Sequence, residues 1–482
     1  MGAAEMTEGI EKHLAHHVLS GRRGTVEQQA ERGKAARKAL PRTAHALLDL
    51  PADRRDPVEV LQEQAASRVQ ELLPIRYGRM ASSPFAFYRG AAAIMAADLA
   101  STPSSGIRAQ LCGDAHLMNF GVYNSPDRRL VFDLNDFDET LPGPWEWDLK
   151  RLAASLVIAG QENGYSEPEV AEIVRDSVRS YRTAMADFAG QGNLAVWYSR
   201  LEVDSLLDAF RTQMSAAQLK EFNRRTAKFA SRDSLQAFGK LTRQTDDGPR
   251  FRSEPPLVVP VDELFDIEWS SVVETADRFL GHYLRSLPDD KRDLVLQYRF
   301  VDLARKVVGV GSVGTRAWIA LLLGHDGDDP LILQWKEAQT SVLEPHLGSS
   351  PFESHGRRVV AGQQLMQAST DIFLGWYHGH GLDGEPRDFY VRQLRDGKGS
   401  VDVATMAPSG MRVYGEVCAW TLARAHARSG DRVAIASYVG TSRKLDDALT
   451  EFGHRYAEQN RADHAALVAA IADGRVEALS GV

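Results

Sequence analysis

The stretch CGDAHLMNFG, residues 112–121, sets a carboxylate, Asp114, five residues ahead of an amide, Asn119, and is soon followed by RRLVFDLN (128–135) running into NDFDE (135–139). Short β-like runs, IRAQLC before the motif and RRLVFDLN after it, are separated by the turn residues Asn124, Ser125, Pro126 and Asp127, which predicts a hairpin-like unit carrying the motif. Phosphoryl transfer needs little covalent chemistry from a protein. It needs a carboxylate to orient and accept the proton of the attacking hydroxyl, and oxygen ligands to hold Mg²⁺ on nucleotide phosphates. Asp114 is suited to the first role, Asn119 and Asp136 to the second, and Mg²⁺ is commonly held by only one or two carboxylates beside phosphates and waters. Asp133, at the end of the strand, competes with Asp136 for the metal, Asp138 is placed for a second ion, and His116 either orders the loop or packs. Against this stands the ordinary use of Asp and Asn to cap turns.

Almost two hundred residues downstream, GVGSVG (309–314) lies between two strand candidates and is followed by an apolar strand, PLILQWKEA, that delivers Lys336. A helix does not follow the glycines, so the context is not that of a dinucleotide-binding turn. Strand, glycine loop, strand and lysine match a flap whose backbone covers phosphates while the lysine contacts them. Gly309, Gly311, Ser312 and Gly314 with Lys336 are the expected nucleotide-binding set. The helical stretch at 355–369 offers no acid to pair with Lys336 after its first residues; Glu337 or Glu344 is the expected substitute.

These residues resemble the kinase-like superfamily, especially its aminoglycoside phosphotransferase branch, whose loop has the pattern His-Gly-Asp-x-His-x-x-Asn. Cys112 replaces the first His. The resemblance implies a metal-binding role for Asp136, since Asp136-Phe137-Asp138 is similar to the Asp-Phe-Gly triplet, and a helix opened by Asp148-Leu149. In such kinases the glycine loop and lysine precede the catalytic loop, whereas here they follow it, which implies circular permutation. The tail segment YGEVCAWTLARAHARSGD (414–431) resembles the helix that runs into the catalytic loop, and no such loop follows it here. RYGRMASSPFAFYRG, FDLNDFDETLPGPWEWDLKRLAASL, KVVGVGSVGTR, QWKEAQTSVLE, FYVRQLRDGKGS and YAEQNRADH also resemble an uncharacterised bacterial family, domain of unknown function 2252, which names no substrate.

The expectation is therefore an α+β, protein-kinase-like two-lobed fold, circularly permuted. It comprises an N-terminal helical extension (1–101), a catalytic lobe (102–300), a nucleotide-binding β lobe (301–405) and C-terminal helices completing the catalytic lobe (406–482). The activity implied is an ATP- and Mg²⁺-dependent phosphotransfer to a hydroxyl on a small molecule or protein. Nucleotidyl transfer, or a catalytically silent binding protein on the same fold, is the alternative.

Composition narrows the partners. A net charge of -8 over 482 residues excludes a general binder of nucleic acid or anionic membrane. Two cysteines, Cys112 and Cys418, are too few for a disulfide framework or a zinc cage. The first residues lack the apolar core of a signal peptide, and no apolar run approaches the ~20 residues of a membrane span, so a cytoplasmic location is expected. Arg76, Arg79, Arg89, Arg392, Arg395 and Lys398 are candidates for binding phosphate or carboxylate. Tyr456, Gln459, Asp463 and His464 are candidates for facing a substrate.

Overall fold

The computed structural model describes residues 23–205, 224, 234–246, 248–265, 268–307, 309, 311, 313–327, 329–394, 399 and 401–481. Helix α1 (Val26–Ala39) opens on a reciprocal capping box between Thr25 and Gln28, which satisfies orphan amides of its first turn. The apolar spacing of VEVLQEQAASRVQELL and FAFYRGAAAIMAADLA predicts two amphipathic helices flanking PIRYGRMASSP, and the first breaks sooner than that. Helix α2 (Pro57–Ala65) ends, and PIRYGRMA, expected as a connection, is helix α3 (Leu73–Ala81). FAFYRGAAAIMAADLA splits into α4 (Pro84–Gly90) and α5 (Ala92–Ala100). Helices α2, α3 and α4 each carry proline in the first turn, where the missing N–H has no intrahelical partner to lose, so the prolines start new helices.

The helical lobe contains a hairpin-like unit at the expected place. Strand β1 (Arg108–Leu111) leads to the motif, β2 (Phe120–Asn124) and β3 (Leu130–Leu134) form an antiparallel pair, and β4 (Leu141–Pro144) returns to pair with β1. Helix α6 (Glu146–Glu162) is buried along nearly its whole length, so it forms the spine of this lobe. Helix α7 (Glu167–Ala189) begins on the Ser166–Glu169 capping box that the sequence predicts. A two-residue strand, β5 (Leu201–Glu202), completes a three-stranded sheet with β3.

The second lobe is a six-stranded antiparallel sheet. Beyond the ribbon of β6 (Thr242–Thr245) and β7 (Gly248–Phe251), its members are β8 (Val258–Pro260), β9 (Arg299–Lys306), β10 (Ala317–Leu323), β11 (Pro330–Glu337), β12 (Gly375–His380) and β13 (Pro386–Gln393). Their spatial order is β12–β13–β11–β10–β9–β8. Helix α8 (Trp269–Leu284) contributes Val272, Phe279 and Tyr283 to one apolar cluster with Leu303, Trp318, Leu333 and Trp335. Ile319, Leu321 and Ile332, on the opposite face, cluster with Ala237, Leu241 and Phe251. Both faces of β10 and β11 are thus covered, which is why their sequences are nearly continuous apolar runs rather than alternating ones.

Since β8 pairs with β9 and α8 packs on the sheet, this lobe starts well before residue 301, and the segment 102–300, read as the catalytic lobe, is divided between the two. The first long strand ends at Lys306 instead of running through RKVVGV, because Gly309 and Gly311 favour a loop over a pleated strand. Strand β12, GWYHGH, carries too few β-branched residues to signal itself and is held by pairing along β13. Helix α9 (His355–Met366) lies between β11 and β12 in the chain, as expected. The last helices, α10 (Pro408–Ser429), α11 (Arg432–Val439) and α12 (Lys444–Ala472), return to the helical lobe. The end of α10 abuts β1: the amide of Gln110 donates to Ser429 Oγ at 3.2 Å, and a Cβ on Gly430 would meet Ala109 at 2.9 Å.

The segment ADRRDP is the polar connection its composition predicts, mostly exposed, and Arg54 within it forms a clamp. Arg54 donates to both carboxylate oxygens of Asp98 (2.6 and 2.9 Å) and of Asp463 (2.9 and 2.7 Å). Tyr456 donates to Asp98 at 3.0 Å, Gln459 donates to Asp463 at 2.8 Å, and His464 bonds the Ala81 carbonyl. Tyr456, Asp463 and His464 therefore fasten α12 to the N-terminal segment, and Gln459 braces Asp463 from within α12. Cys112 and Cys418 are both buried and free.

Candidate active site

The GDAH loop is shaped by its neighbours more than by its own side chains. Asp148, in the first turn of α6, accepts the amides of Cys112 (2.8 Å) and Gly113 (3.0 Å), and His426 of α10 lies 3.3 Å from the same carboxylate. His426 is fixed in turn by the Tyr181 hydroxyl at 2.8 Å. The loop thus gets its order from Asp148 and the tail helix where a histidine at position 112 is lacking. Gly113 sits at φ 86 with its α-carbon hard against Glu139, a position that any Cβ would disrupt.

One helical turn after Asp148, Arg151 reaches the same loop from the same face of α6. Its Nε and Nη2 contact Asp114 Oδ1 at 2.7 and 2.6 Å, and its Nη2 also donates to the Tyr88 carbonyl. Burial pushes the Asp114 carboxyl up to about 6, with the charge of Arg151 opposing the rise. Oδ1 is occupied by arginine, whereas Oδ2 faces His116 Nε2 at 3.6 Å. His116 Nδ1 accepts the Met118 amide at 3.1 Å, so in the neutral ring the proton sits on Nε2. Burial holds that imidazole well below its ordinary range, and it stays neutral. Asn119 donates through Nδ2 to the Asp114 carbonyl at 2.7 Å, which leaves its Oδ1 as a possible cation ligand.

The three carboxylates that compete for a metal separate in space. Asp133 is 1 % exposed, ion-paired with Arg424 of α10, and accepts the amides of Leu134 and Ala368 at 2.9 and 2.8 Å. Its oxygens serve the packing of three segments, which corrects the reading that made it a metal ligand. Asp136 and Asp138 instead line the cleft. Asp136 Oδ1 accepts the amide of Asp138 at 3.1 Å, a local turn that points both acids the same way.

Lys336 arrives at these acids from the other lobe. On β11 its side chain shares a face with Ile332 and Gln334; Ile332 is in the core, whereas Gln334 and Lys336 line the cleft. Lys336 is ion-paired with Asp138 and lies 3.8 Å from Asp136, and Tyr390, its cross-strand neighbour on β13, donates to Asp138 at 2.9 Å. Burial disfavours the ammonium, but the two carboxylates win and hold it charged above its ordinary range. Neither expected substitute pairs with it. Glu337 binds Arg316 and Arg387, and Glu344 accepts the amides of Ser341 and Ser350. Helix α9 contributes an arginine rather than an acid: buried Arg358 donates to the carbonyls of Thr140, Asp138 and Gln339, joining the acid loop to the chain after Lys336.

The glycine loop joins β9 to β10 as expected. Gly309 and Gly311 line the cleft, Gly314 adopts φ 87, which favours glycine, and Ser312 lies outside the described residues, as do Arg395 and Lys398. The loop is gripped from the N-terminal segment. Arg68 donates to the carbonyls of Gly311 (3.0 Å) and Val313 (2.6 Å), and the Val69 amide bonds the Gly314 carbonyl at 2.8 Å. No local signal marks Arg68 or Arg151, because their partners lie far away in sequence; only the three-residue offset of Arg151 from Asp148 hinted at a shared face.

Asp114, His116, Asn119, Asp136, Asp138, Gly309, Gly311 and Lys336 all border one cleft of about 1190 Å³. Among the described residues no three His, Cys, Asp or Glu side chains converge as a metal cage, and no helix is long and apolar enough to cross a membrane. Fold and site together define an α+β protein with a sheet lobe, a helical lobe and a polar cleft joining a buried lysine, an acid pair and a third carboxylate. The chain belongs to a family described as uncharacterised proteins conserved in bacteria, domain of unknown function 2252, which matches residues 68–470. No curated protein and no solved structure matches it.

Proposed function

We propose that this cleft is the site of an ATP- and Mg²⁺-dependent phosphotransferase acting on a hydroxyl acceptor, built on a protein-kinase-like fold in circularly permuted order. The observation that carries the reading is the meeting of Lys336 with Asp136 and Asp138 across the lobes, in the same cleft as Asp114 and about two hundred residues away from it in sequence. Support for permutation comes from the sheet: β9, glycine loop, β10, lysine-bearing β11, helix α9, β12 and β13 follow the succession of a kinase nucleotide lobe. The contact of α10 with β1 has the tail helix ending where the loop strand begins.

The residues present fit the cofactors. Asp136, Asp138 and the Oδ1 of Asn119 are hard oxygen donors of the kind Mg²⁺ takes, and Mg²⁺ would neutralise charge on the phosphates of ATP. Lys336 and the glycine-loop backbone would hold those phosphates. Asp114 Oδ2 takes the acceptor's proton; Arg151 fixes the carboxylate, and neutral His116 orders the loop beside it. Replacing Lys336 with Ala removes the phosphate contact and leaves Asp136 and Asp138 without their counter-charge. The expected result is at least a 10-fold loss of Mg·ATP affinity by calorimetry. Wild-type protein that binds no Mg·ATP, or a variant that binds it equally well, would overturn the reading.

The shift on Asp114 gives a pH dependence. A base raised to about 6 is ionised above that value and protonated below it, so kcat/KM should fall tenfold per pH unit on the acid side of about pH 6. The Asp136 charge contributes to the rise, so saturating Mg·ATP should move the acid limb of kcat lower. An acid limb absent in wild type down to pH 4.5 would remove Asp114 as the base.

A further inference from the structure

The wall of the cleft opposite the sheet is made by the N-terminal helices, and it is rich in arginine. Arg68, Arg79 and Arg89 line it, and Arg76 lies fully buried behind them. Three of them, Arg68, Arg76 and Arg89, are poorly matched. Arg76 donates to the Gly90 carbonyl at 3.2 Å, yet its Nε and Nη1 have no hydrogen-bond partner, and the Nε atoms of Arg68 and Arg89 are also buried without one. Burial lowers all three guanidinium groups; for Arg76, brought to about 9, the neighbouring charge of Arg68 adds to the effect, and for Arg89 the charge of Arg79 does. The acids nearby do little to offset this. Glu63 is paired with Arg55 at 2.7 Å, and the Glu139 carboxylate accepts the Val342 amide at 2.7 Å.

Three of these arginines divide by task. Arg68 spends its Nη1 on the glycine-loop carbonyls, and Arg76 lies behind the wall. Arg89 lines the cleft with Asp114, whose charge is the main one favouring its cation, and its buried Nε has no hydrogen-bond partner among the described residues. On the other side of the cleft Lys336 has its own acids and Arg392 for a cationic neighbour. The cleft is thus lined by two sets of cations, Lys336 with Arg392 at the acid pair and Arg89 at the candidate base. A group bound at Arg89 lies where an acceptor meets Asp114. A planar guanidinium fits phosphate or carboxylate in a two-point contact, and desolvation makes such a contact stronger.

We infer that the acceptor is a small hydroxyl compound that also carries a phosphate or carboxylate, held by Arg89 so that its hydroxyl meets Asp114. The inference rests on the phosphotransfer reading above. In the step itself the acceptor oxygen forms a bond to the terminal phosphorus of ATP. The bond from that phosphorus to the bridging oxygen breaks, ADP leaves with the electron pair, and Asp114 takes the hydroxyl proton. Such a site selects against cationic acceptors, because a second positive charge beside Arg79 and Arg89 is repelled.

The test uses the full chain without nucleotide and two probes, inorganic phosphate and malonate, titrated by calorimetry into wild type, Arg89→Gln, Arg89→Lys and Lys336→Ala. At least one probe should bind wild type, and which one binds tells a phosphorylated acceptor from a carboxylic one. Arg89→Gln should weaken it at least 10-fold, Arg89→Lys should recover part of the loss, and Lys336→Ala should change it less than 2-fold. Arg89→Gln breaks no hydrogen bond, and its melting temperature should match wild type. The inference is overturned if neither anion binds, if Arg89→Gln binds as wild type does, or if binding is lost in Lys336→Ala instead, which would put the anion in the nucleotide's phosphate site. Mg·ATP is titrated in parallel. Anion binding that follows Arg89 in a protein with no affinity for Mg·ATP overturns the phosphotransfer reading, and with it the acceptor assignment, while leaving an anion site.

Discussion

Asp114→Asn should lower turnover by about 10²–10⁴-fold, the usual contribution of a positioned general base, with Mg·ATP affinity kept within about 2-fold. The size of the effect follows from geometry. An amide at position 114 still offers an oxygen to Arg151, which holds Asp114 Oδ1 at 2.7 and 2.6 Å, so the loop keeps its anchor. What disappears is the capacity of the second oxygen to take a proton. Because Asp148, not Asp114, receives the amides of Cys112 and Gly113, the backbone of the loop should also stay in place. Single-turnover kinetics with Mg·ATP and an acceptor check the result. A variant with wild-type turnover would mean that the carboxylate is a structural partner of Arg151 only.

The second large effect is on stability. Arg424→Met should destabilise the protein by about 3–5 kcal/mol in urea unfolding, the range for breaking a fully buried ion pair from one side. Arg424 and Asp133 are each 1 % exposed, so methionine leaves a carboxylate with no counter-charge and no access to water. The Met366 carbonyl also loses the 2.7 Å bond from Arg424. The same experiment separates Asp133 from the cleft acids: Asp133→Asn should cost stability and leave the Mg²⁺ requirement of the folded protein unchanged, whereas Asp136→Asn should weaken Mg²⁺ dependence at little cost in stability. A dependence on Mg²⁺ that follows Asp133 would reverse the assignment.

The contrast between these two acids shows what could be read from the chain. Three residues apart, Asp133 and Asp136 are equivalent in local chemistry, and the sequence left them as competitors. Their fates are decided by Arg424, almost three hundred residues on, and by the pitch of β3, which turns position 133 inward before the strand ends. Lys336 is the opposite case. A lysine near the end of a largely apolar strand after a glycine loop is legible by itself, since burying an ammonium is costly unless an acid meets it. That the acids are Asp136 and Asp138, and not a glutamate from the following helix, was not legible. Local pattern also misjudged the N-terminal segment: the expected helices break after Ala65 and Gly90, and within the polar connection ADRRDP nothing local shows that Arg54 joins Asp98 to Asp463.

By itself the sequence determined the α+β class, the strand–glycine loop–strand unit, the lysine strand, the hairpin bearing Asp114 and Asn119, and the helix opened by Asp148. These rest on periodicity, turn chemistry and spacing, which act over a few residues. Only the tertiary structure decided that the two motifs border one cleft, that Asp133 belongs to the core, that Arg151 holds Asp114, and that arginines from the N-terminal helices wall the site. Those outcomes depend on side chains meeting across 37 to 291 residues of chain, where burial and charge pairing, rather than local propensity, set the lowest free energy.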